Sequence, residues 1–414
     1  MSSAPPLWKK LFFLMTLAVL LVVVTELSLR LAGYHGPQYE VYENFVPHSA
    51  LFGESGSVLK IRNGLVRSQI LAKVKAPGKK RVFAFGSSLT YGCLLDDPYR
   101  DGYPSVLRTM LDTNRVEMVN VSGIGFASYR LVDFVRECLN YEPDLMIVMC
   151  GGNEFLEPRL YGNAYKCSWE RIRIVQAVRA HVSGSTPGGR GTCQPPVSVG
   201  REYTGQHYIK RDAEEVRLTL GHFRWSIEQM ADRCRARGVP LILCSEPSNL
   251  RDWPPFVTNE SKKAKEFQGI SLRWAVPVSV KQGLQDIREG RAQKVYVFAK
   301  KALERDDGLA IFHYLIAKSL DSLGKPSEAR KHYILARDLD GFPHRSISSF
   351  NEAVREIAEK KGARFCDIEK AFADTSPDKI PGNNIFIDQC HPNKEGHRLI
   401  AEKLYEIARP LLKL

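Results

Sequence analysis

The chain has 414 residues, 44% of them hydrophobic and 25% charged, with a formal net charge of +13. That length buries a full core and leaves room for more than one structural unit, and the composition excludes a disordered, collagen-like or low-complexity chain. The basic residues are scattered and no nucleic-acid-reading motif occurs, so the excess charge reads as a solvated surface, with no nucleic-acid partner.

The stretch Leu11 to Thr25, LFFLMTLAVLLVVVT, carries no charge, and apolar residues continue past Glu26 to Leu31. With its flanks it approaches the roughly 20 residues a helix needs to cross a bilayer. A cleaved signal peptide is the alternative. Against it, Glu26, Leu27 and Arg30 stand where a small-x-small cleavage site would lie, and no lipoprotein cysteine follows. Residues 1–33 therefore read as an uncleaved signal anchor. Lys9 and Lys10 precede it and Glu40 and Glu43 follow. This asymmetry predicts a single-pass membrane protein with its amino terminus in the cytoplasm and the rest of the chain outside, as in a periplasm. Residues 34–80 read as a linker and lead-in, with Arg62 and Asn63 fitting an edge hairpin.

The core begins at residue 81. Val82–Phe85 is an apolar run of the kind that forms a buried strand, and it stops at Gly86-Ser87-Ser88. A strand that delivers a serine to a tight turn suits a nucleophile, because the hydroxyl faces outward and backbone N–H groups stand free behind it. Tyr103–Asn114 then shows helical apolar spacing, Val116–Val121 is a second strand, Tyr129–Leu139 is helical and Leu145–Cys150 is a third strand. Glu214–Gly238 is a long amphipathic helix before a fourth strand at Val239–Cys244. Ile347–Lys361 is helical before a fifth strand at Ala363–Cys366, and KEGHRLIAEKLYEIA closes the chain as a helix. Alternating helices and continuous apolar strands, without hairpin signals, predict an α/β fold with a parallel sheet covered on both faces. Sites in such folds lie at the carboxyl ends of the strands.

Two insertions interrupt this core. Residues 155–213 are irregular and too long for a plain connection, and read as a lid or partner loop. Residues 252–343 are helical. There AIFHYLIAKSLDSLGKPSEARKHYILARDLDGFP resembles one tetratricopeptide repeat, with Ala317, Gly324, Ala329, Tyr333 and Ala336 at the positions where two antiparallel helices pack closely. A fainter copy, Gly283, Gly290, Val295, Ala299 and Ala302, precedes it by the 34 residues characteristic of that repeat. Such helices either bind a protein partner or roof a pocket on the core.

There are nine cysteines and no C-x-x-C pair, which argues against zinc. Cys93, Cys138, Cys150, Cys234, Cys244 and Cys366 lie in or beside apolar runs and read as small buried residues. Cys167 and Cys193 bracket a Gly/Ser/Pro-rich loop and pair as a disulfide if that loop lies outside the cytoplasm. Cys390 reads as structural. No metal and no cofactor is expected.

Four stretches follow one another in the order GSSL at 86–89, NVSGIG at 120–125, GGNE at 151–154 and DQCHPN at 388–393. Together they resemble the four sequence blocks of the SGNH (GDSL-type) hydrolases, serine esterases and acyl-transfer enzymes. The resemblance covers about half of the chain and implies a flavodoxin-like three-layer core, here in segments 81–251 and 344–414. It implies Ser88 as nucleophile, His391 as general base and Asp388 as its orienting acid. The oxyanion donors it implies are the Ser88 N–H, the Gly125 N–H and the Asn153 side-chain amide. Gly123 is the competing register for Gly125. Ser87 stands where the family usually has aspartate. The expected function is ester chemistry on envelope glycan or lipid esters. It is a hydrolase if water resolves the acyl-serine and an O-acyltransferase if a sugar hydroxyl does. A catalytically inactive, membrane-anchored scaffold is the non-enzymatic alternative.

Overall fold

A computed structural model describes residues 7–31, 51–61, 66–156, 159–160, 174, 192–193, 213–256, 258 and 272–414. Arg62, Asn63, Cys167 and most of the 155–213 insertion lie outside these residues, and with them the suggested hairpin and the Cys167–Cys193 pairing. The chain divides into two compact units, Met1–Pro47 with Pro158–Pro195, and His48–Glu157 with Pro196–Leu414.

In the first unit, helix α1 (Leu7–Leu31) contains the window Phe12–Leu29, of mean hydropathy 2.4, long and apolar enough to cross a membrane. Both threonine hydroxyls bond within the helix: Thr16 and Thr25 donate to the carbonyls of Phe12 and Leu21, four residues earlier. The same unit holds a short antiparallel pair, Arg159–Leu160 with Thr192–Cys193.

The second unit opens with three antiparallel strands, β1 (Phe52–Ser55), β2 (Val58–Ile61) and β3 (Ile70–Ala72). The sequence reads here as linker and lead-in, because three- and four-residue strands are too short to show a period. Within β2 only Leu59 and Ile61 turn inward. The buried guanidinium of Arg81 ties this sheet to the core. Its Nη2 donates to the Ala72 carbonyl at 2.8 Å, its Nη1 to Tyr141 O at 2.9 Å and its Nε to Glu117 at 2.6 Å.

The central sheet is built from β4 (Lys80–Gly86), β5 (Val116–Ser122), β6 (Leu145–Met149), β7 (Leu241–Cys244) and β8 (Arg364–Cys366). Its spatial order is β8-β7-β6-β4-β5 and every pairing is parallel. Both faces of β4 and β6 are buried, which is why these strands read as unbroken apolar runs. Strand order reverses at β4, whose neighbours β5 and β6 lie on opposite sides. A doubly wound sheet opens its ligand crevice at such a switch point, outside the carboxyl ends of the strands. Ser88 follows β4 directly, at the start of helix α2 (Ser88–Tyr91).

Helices cover both faces. After α3 (Pro98–Asp101), helix α4 (Tyr103–Met110) packs on one face beside the C-terminal helix. α5 (Ser128–Cys138) and α6 (Ala213–Ala236) cover the other face. Four further helices, α7 (Leu272–Arg288), α8 (Ala292–Leu303), α9 (Ala310–Ser322) and α10 (Pro326–Asp338), form antiparallel neighbours with their own core. Ala299, Ala317 and Ala329 are fully buried there, and Tyr333 and Ala336 nearly so. Small side chains let the helix axes approach. α11 (Ser348–Lys361), α12 (Ile368–Thr375) and α13 (Lys394–Leu412) complete the sheet's cover.

Arg337, at the end of α10, is 1% exposed and fastens the helical segment to the core. It donates to Glu369 at 2.7 Å, Asp338 at 2.8 Å, Ser348 at 2.7 Å and Ser248 at 3.2 Å. Five of the six cysteines read as buried are buried free thiols, whereas Cys93 is only half-buried, because it lies past the turn that ends α2.

Candidate active site

The residues that converge at the carboxyl end of β4 come from the two ends of the second unit. Ser88 Oγ lies 2.8 Å from His391 Nε2. His391 Nδ1 lies 2.6 Å from Asp388 Oδ2. An ionised carboxylate only accepts, so Nδ1 carries the proton toward Asp388 and Nε2 presents its lone pair to the serine hydroxyl. Burial alone would raise the Asp388 pKa. The His391 hydrogen bond and the N–H groups of Cys390 and His391 outweigh burial and hold it below the usual carboxylate value. Those two N–H groups donate to Asp388 Oδ1 at 2.9 and 2.7 Å. The turn thus fixes one oxygen and leaves the other for the imidazole.

The loop carrying His391 is held from both sides. Asn393 caps α13 by accepting from Gly396 N at 3.0 Å. Asn249, beyond β7, is fully buried. Its amide donates to the Asp388 carbonyl at 3.0 Å and to Asn383 at 2.9 Å, and its backbone N–H donates to Gln389 O at 3.0 Å.

Around Ser88 the turn is fixed by the second block. Asn120 donates to the Thr90 carbonyl at 2.9 Å and accepts from Ser122. Among the described residues no side-chain bond from Ser87 caps α2, and the Asn120 amide is the side chain that reaches the turn's Thr90 carbonyl. The Ser88 N–H lies in the first turn of α2, where backbone donors have no partner within the helix.

Gly125 has φ +76°, the left-handed region that favours glycine, and its N–H makes no hydrogen bond among the described residues. The N–H of Gly123, the competing register, is already committed to Gly86 O at 3.3 Å. Asn153 is buried and donates one amide hydrogen to Phe126 O at 3.2 Å, which leaves the other for a ligand.

Glu246 is the residue sequence reasoning missed here. It follows β7, is buried, and receives the N–H of Gly152. A methyl group at Gly152 would sit 2.4 Å from Glu246 Oε1, so any larger residue there would push the carboxyl aside. Among the described residues Glu246 Oε2 has no hydrogen-bond partner. Burial is the main cause that pushes this carboxyl up to about 7, with the Gly152 bond opposing and Glu154 adding to it. Glu154 in turn accepts from the N–H and hydroxyl of Ser128 at 2.7 and 3.1 Å. The GGNE segment is therefore pinned by two buried acids. Neither Glu246 nor Asn249 belongs to a motif. The one signal available was their position just past a strand's carboxyl end.

Among the described residues, one cluster offers donors to a metal ion. Asp388, Cys390 and His391 each present an atom within 4.8 Å of the others.

No family model and no curated relative matches the sequence. Solved structures similar to this chain include a GDSL-like lipase from Bacteroides thetaiotaomicron, 13% identical, covering 82% of this chain and 92% of that one at a TM-score of 0.36. A putative acylhydrolase from Bacteroides fragilis is 13% identical, with coverages of 82% and 91% and a TM-score of 0.36. A lipase/acylhydrolase from Enterococcus faecalis is 10% identical, with coverages of 80% and 96% and a TM-score of 0.36.

Proposed function

We propose that this chain is a serine esterase of the SGNH (GDSL-type) hydrolase family. The observation that carries the reading is the unbroken line Ser88 Oγ, His391 Nε2, His391 Nδ1, Asp388 Oδ2, with links of 2.8 and 2.6 Å. Ser88 attacks an ester carbonyl while His391 takes its proton. Asp388 steadies the imidazolium that forms. The negative oxygen that develops is met by the N–H groups of Ser88 and Gly125 and by the Asn153 amide. His391 returns the proton to the leaving alcohol, and an acyl-Ser88 remains. Water then resolves it, or a sugar hydroxyl does if the chain is an O-acyltransferase.

The substrate class is an envelope glycan or lipid ester. The α1 span and the lysines before it support a single-pass anchor with the catalytic part outside the cytoplasm. The helices α7–α10 are read as a tetratricopeptide-like insertion, on their buried small residues and the 34-residue period of the sequence.

Purified chain should hydrolyse p-nitrophenyl acetate and lose that activity in Ser88→Ala and His391→Ala variants that keep their circular dichroism. Retained turnover in either variant overturns the assignment. Adding sugar acceptors to the same assay, and watching for acyl-sugar product, separates transferase from hydrolase. A phosphatase fused after Gly33 should be active, and a silent fusion contradicts the topology.

A further inference from the structure

We infer that the cavity where helices α7 and α9 meet the core is a subsite for a sugar ring of a glycan ester. The inference deepens the esterase reading above and rests on it. The cavity holds about 620 Å3, within the range of small-molecule sites. Arg288 of α7, Tyr314, Lys318 and Asp321 of α9, Asp252 beyond β7 and Asn383 of the loop before Asp388 line it. The three α9 residues are spaced four and three apart, which puts them on one face of the helix. Tyr314 OH donates to Arg251 O at 3.1 Å and Asp321 accepts from Tyr333 OH at 3.1 Å, so this wall is fixed by its own bonds. The cavity is also stitched to the catalytic loop. Leu250 and Arg251 donate their N–H groups to Pro381 O at 2.9 and 3.0 Å, and Asn383 N–H donates to Asp252 Oδ2 at 2.9 Å. The Asn249 amide touches both Asn383 Oδ1 and the Asp388 carbonyl, so those two oxygens lie within about 6 Å of each other. A ring seated against Asn383 is therefore a neighbour of the residue that orients His391.

The lining selects the ligand. Among the described residues the Arg288 guanidinium, the Ser322 hydroxyl at the end of α9 and Asn383 Nδ2 make no hydrogen bond, and Asp252 Oδ1 has Lys318 Nζ at 3.5 Å. Donors and an acceptor thus remain available on three sides of the cavity. Sugar hydroxyls, which donate and accept at once, satisfy such a mixture. Leu284, Ile287 and Pro254 supply an apolar wall for the C–H face of a ring. An acyl chain does not fit, because it would strip water from Arg288, Lys318 and Asp252 and return no hydrogen bond. The cavity therefore suits the glycan part of an ester and not a lipid part.

The test uses the full chain in detergent and three esters: p-nitrophenyl acetate, p-nitrophenyl palmitate and O-acetylated tetra-N-acetylchitotetraose. Ser322→Trp fills the cavity from the end of α9, and Arg288→Ala removes one of its donors. The ratio of kcat/KM on the acetylated tetrasaccharide to that on p-nitrophenyl acetate should fall at least about tenfold in Ser322→Trp and about threefold in Arg288→Ala, mainly through KM. The ratio of palmitate to acetate should stay as in the native chain. Calorimetry supplies a readout independent of turnover: tetra-N-acetylchitotetraose should bind the Ser88→Ala chain, and at least about tenfold more weakly once Ser322→Trp is added. Arg288→Ala carries both measurements if the tryptophan variant does not fold. Tetrasaccharide ratios unchanged in the variants, a palmitate ratio that falls instead, or no tetrasaccharide binding to the Ser88→Ala chain overturns the inference. A chain that binds the tetrasaccharide but hydrolyses none of the three esters keeps the subsite and overturns the esterase reading.

Discussion

Glu246→Gln isolates one buried proton. The side chain of Glu246 is buried behind the GGNE loop, and its carboxyl titrates near 7 instead of 4.5. Between these values the folded chain holds a proton that the unfolded chain has released. The unfolded state thus binds fewer protons, and stability falls as pH rises through the window. The contribution is fully present below about pH 4.5 and lost above about pH 7, and it is worth roughly 3 kcal/mol over the whole range. Glutamine keeps the shape and an acceptor for Gly152 N–H but does not titrate. Denaturant unfolding of both proteins at a series of pH values gives the difference in stability between them. Other titrating groups cancel in that difference. From about pH 5 to about pH 8 the native chain should lose roughly 2 to 3 kcal/mol relative to the glutamine variant. Parallel profiles would refute the reasoning, since they would mean that Glu246 is hydrated or paired and titrates normally.

Asn153→Ala removes an amide donor and should lower kcat by about a hundredfold to a thousandfold with a smaller change in KM; steady-state kinetics on p-nitrophenyl acetate checks this. Asn249→Ala frees the Asp388 carbonyl and the Asn383 side chain. It should cost about tenfold in kcat with circular dichroism unchanged, because the loop loses two hydrogen bonds of about 1 kcal/mol each. Arg337→Ala strands Asp338 and Glu369 beside a cavity and should destabilise the chain by about 3 kcal/mol in denaturant unfolding.

What the sequence could show depended on how each element is stabilised. β4, β6 and β7 are buried on both faces, so their apolar runs stand out within the chain. The β1–β3 sheet is half-exposed and built of strands of three or four residues, and its anchor is the charged side chain of Arg81, which no hydrophobic pattern records. Ser88, Asp388 and His391, which meet at the sheet edge, belong to ordered blocks in the sequence. Glu246 and Asn249 reach the same edge only through the fold. A lone acid and a lone amide after a strand look like any turn, and their burial depends on loops more than a hundred residues away, as the bonds of Asn249 to 383 and 388 illustrate. Among the described residues Ser87 makes no side-chain bond at the start of α2, whereas the Asn120 amide reaches the Thr90 carbonyl, a contact between distant residues that no local pattern records.

The central claim is that the hydroxyl beyond β4 is a nucleophile activated by an imidazole three hundred residues later in the chain, as the Ser88–His391 pairing implies. A fluorophosphonate probe followed by peptide mapping tests it most directly. The folded native chain should carry the phosphonyl group on Ser88, with labelling lost in Ser88→Ala and strongly slowed in His391→Ala. A folded native chain that takes up no probe, or a Ser88→Ala chain labelled as fast as the native one, would contradict it.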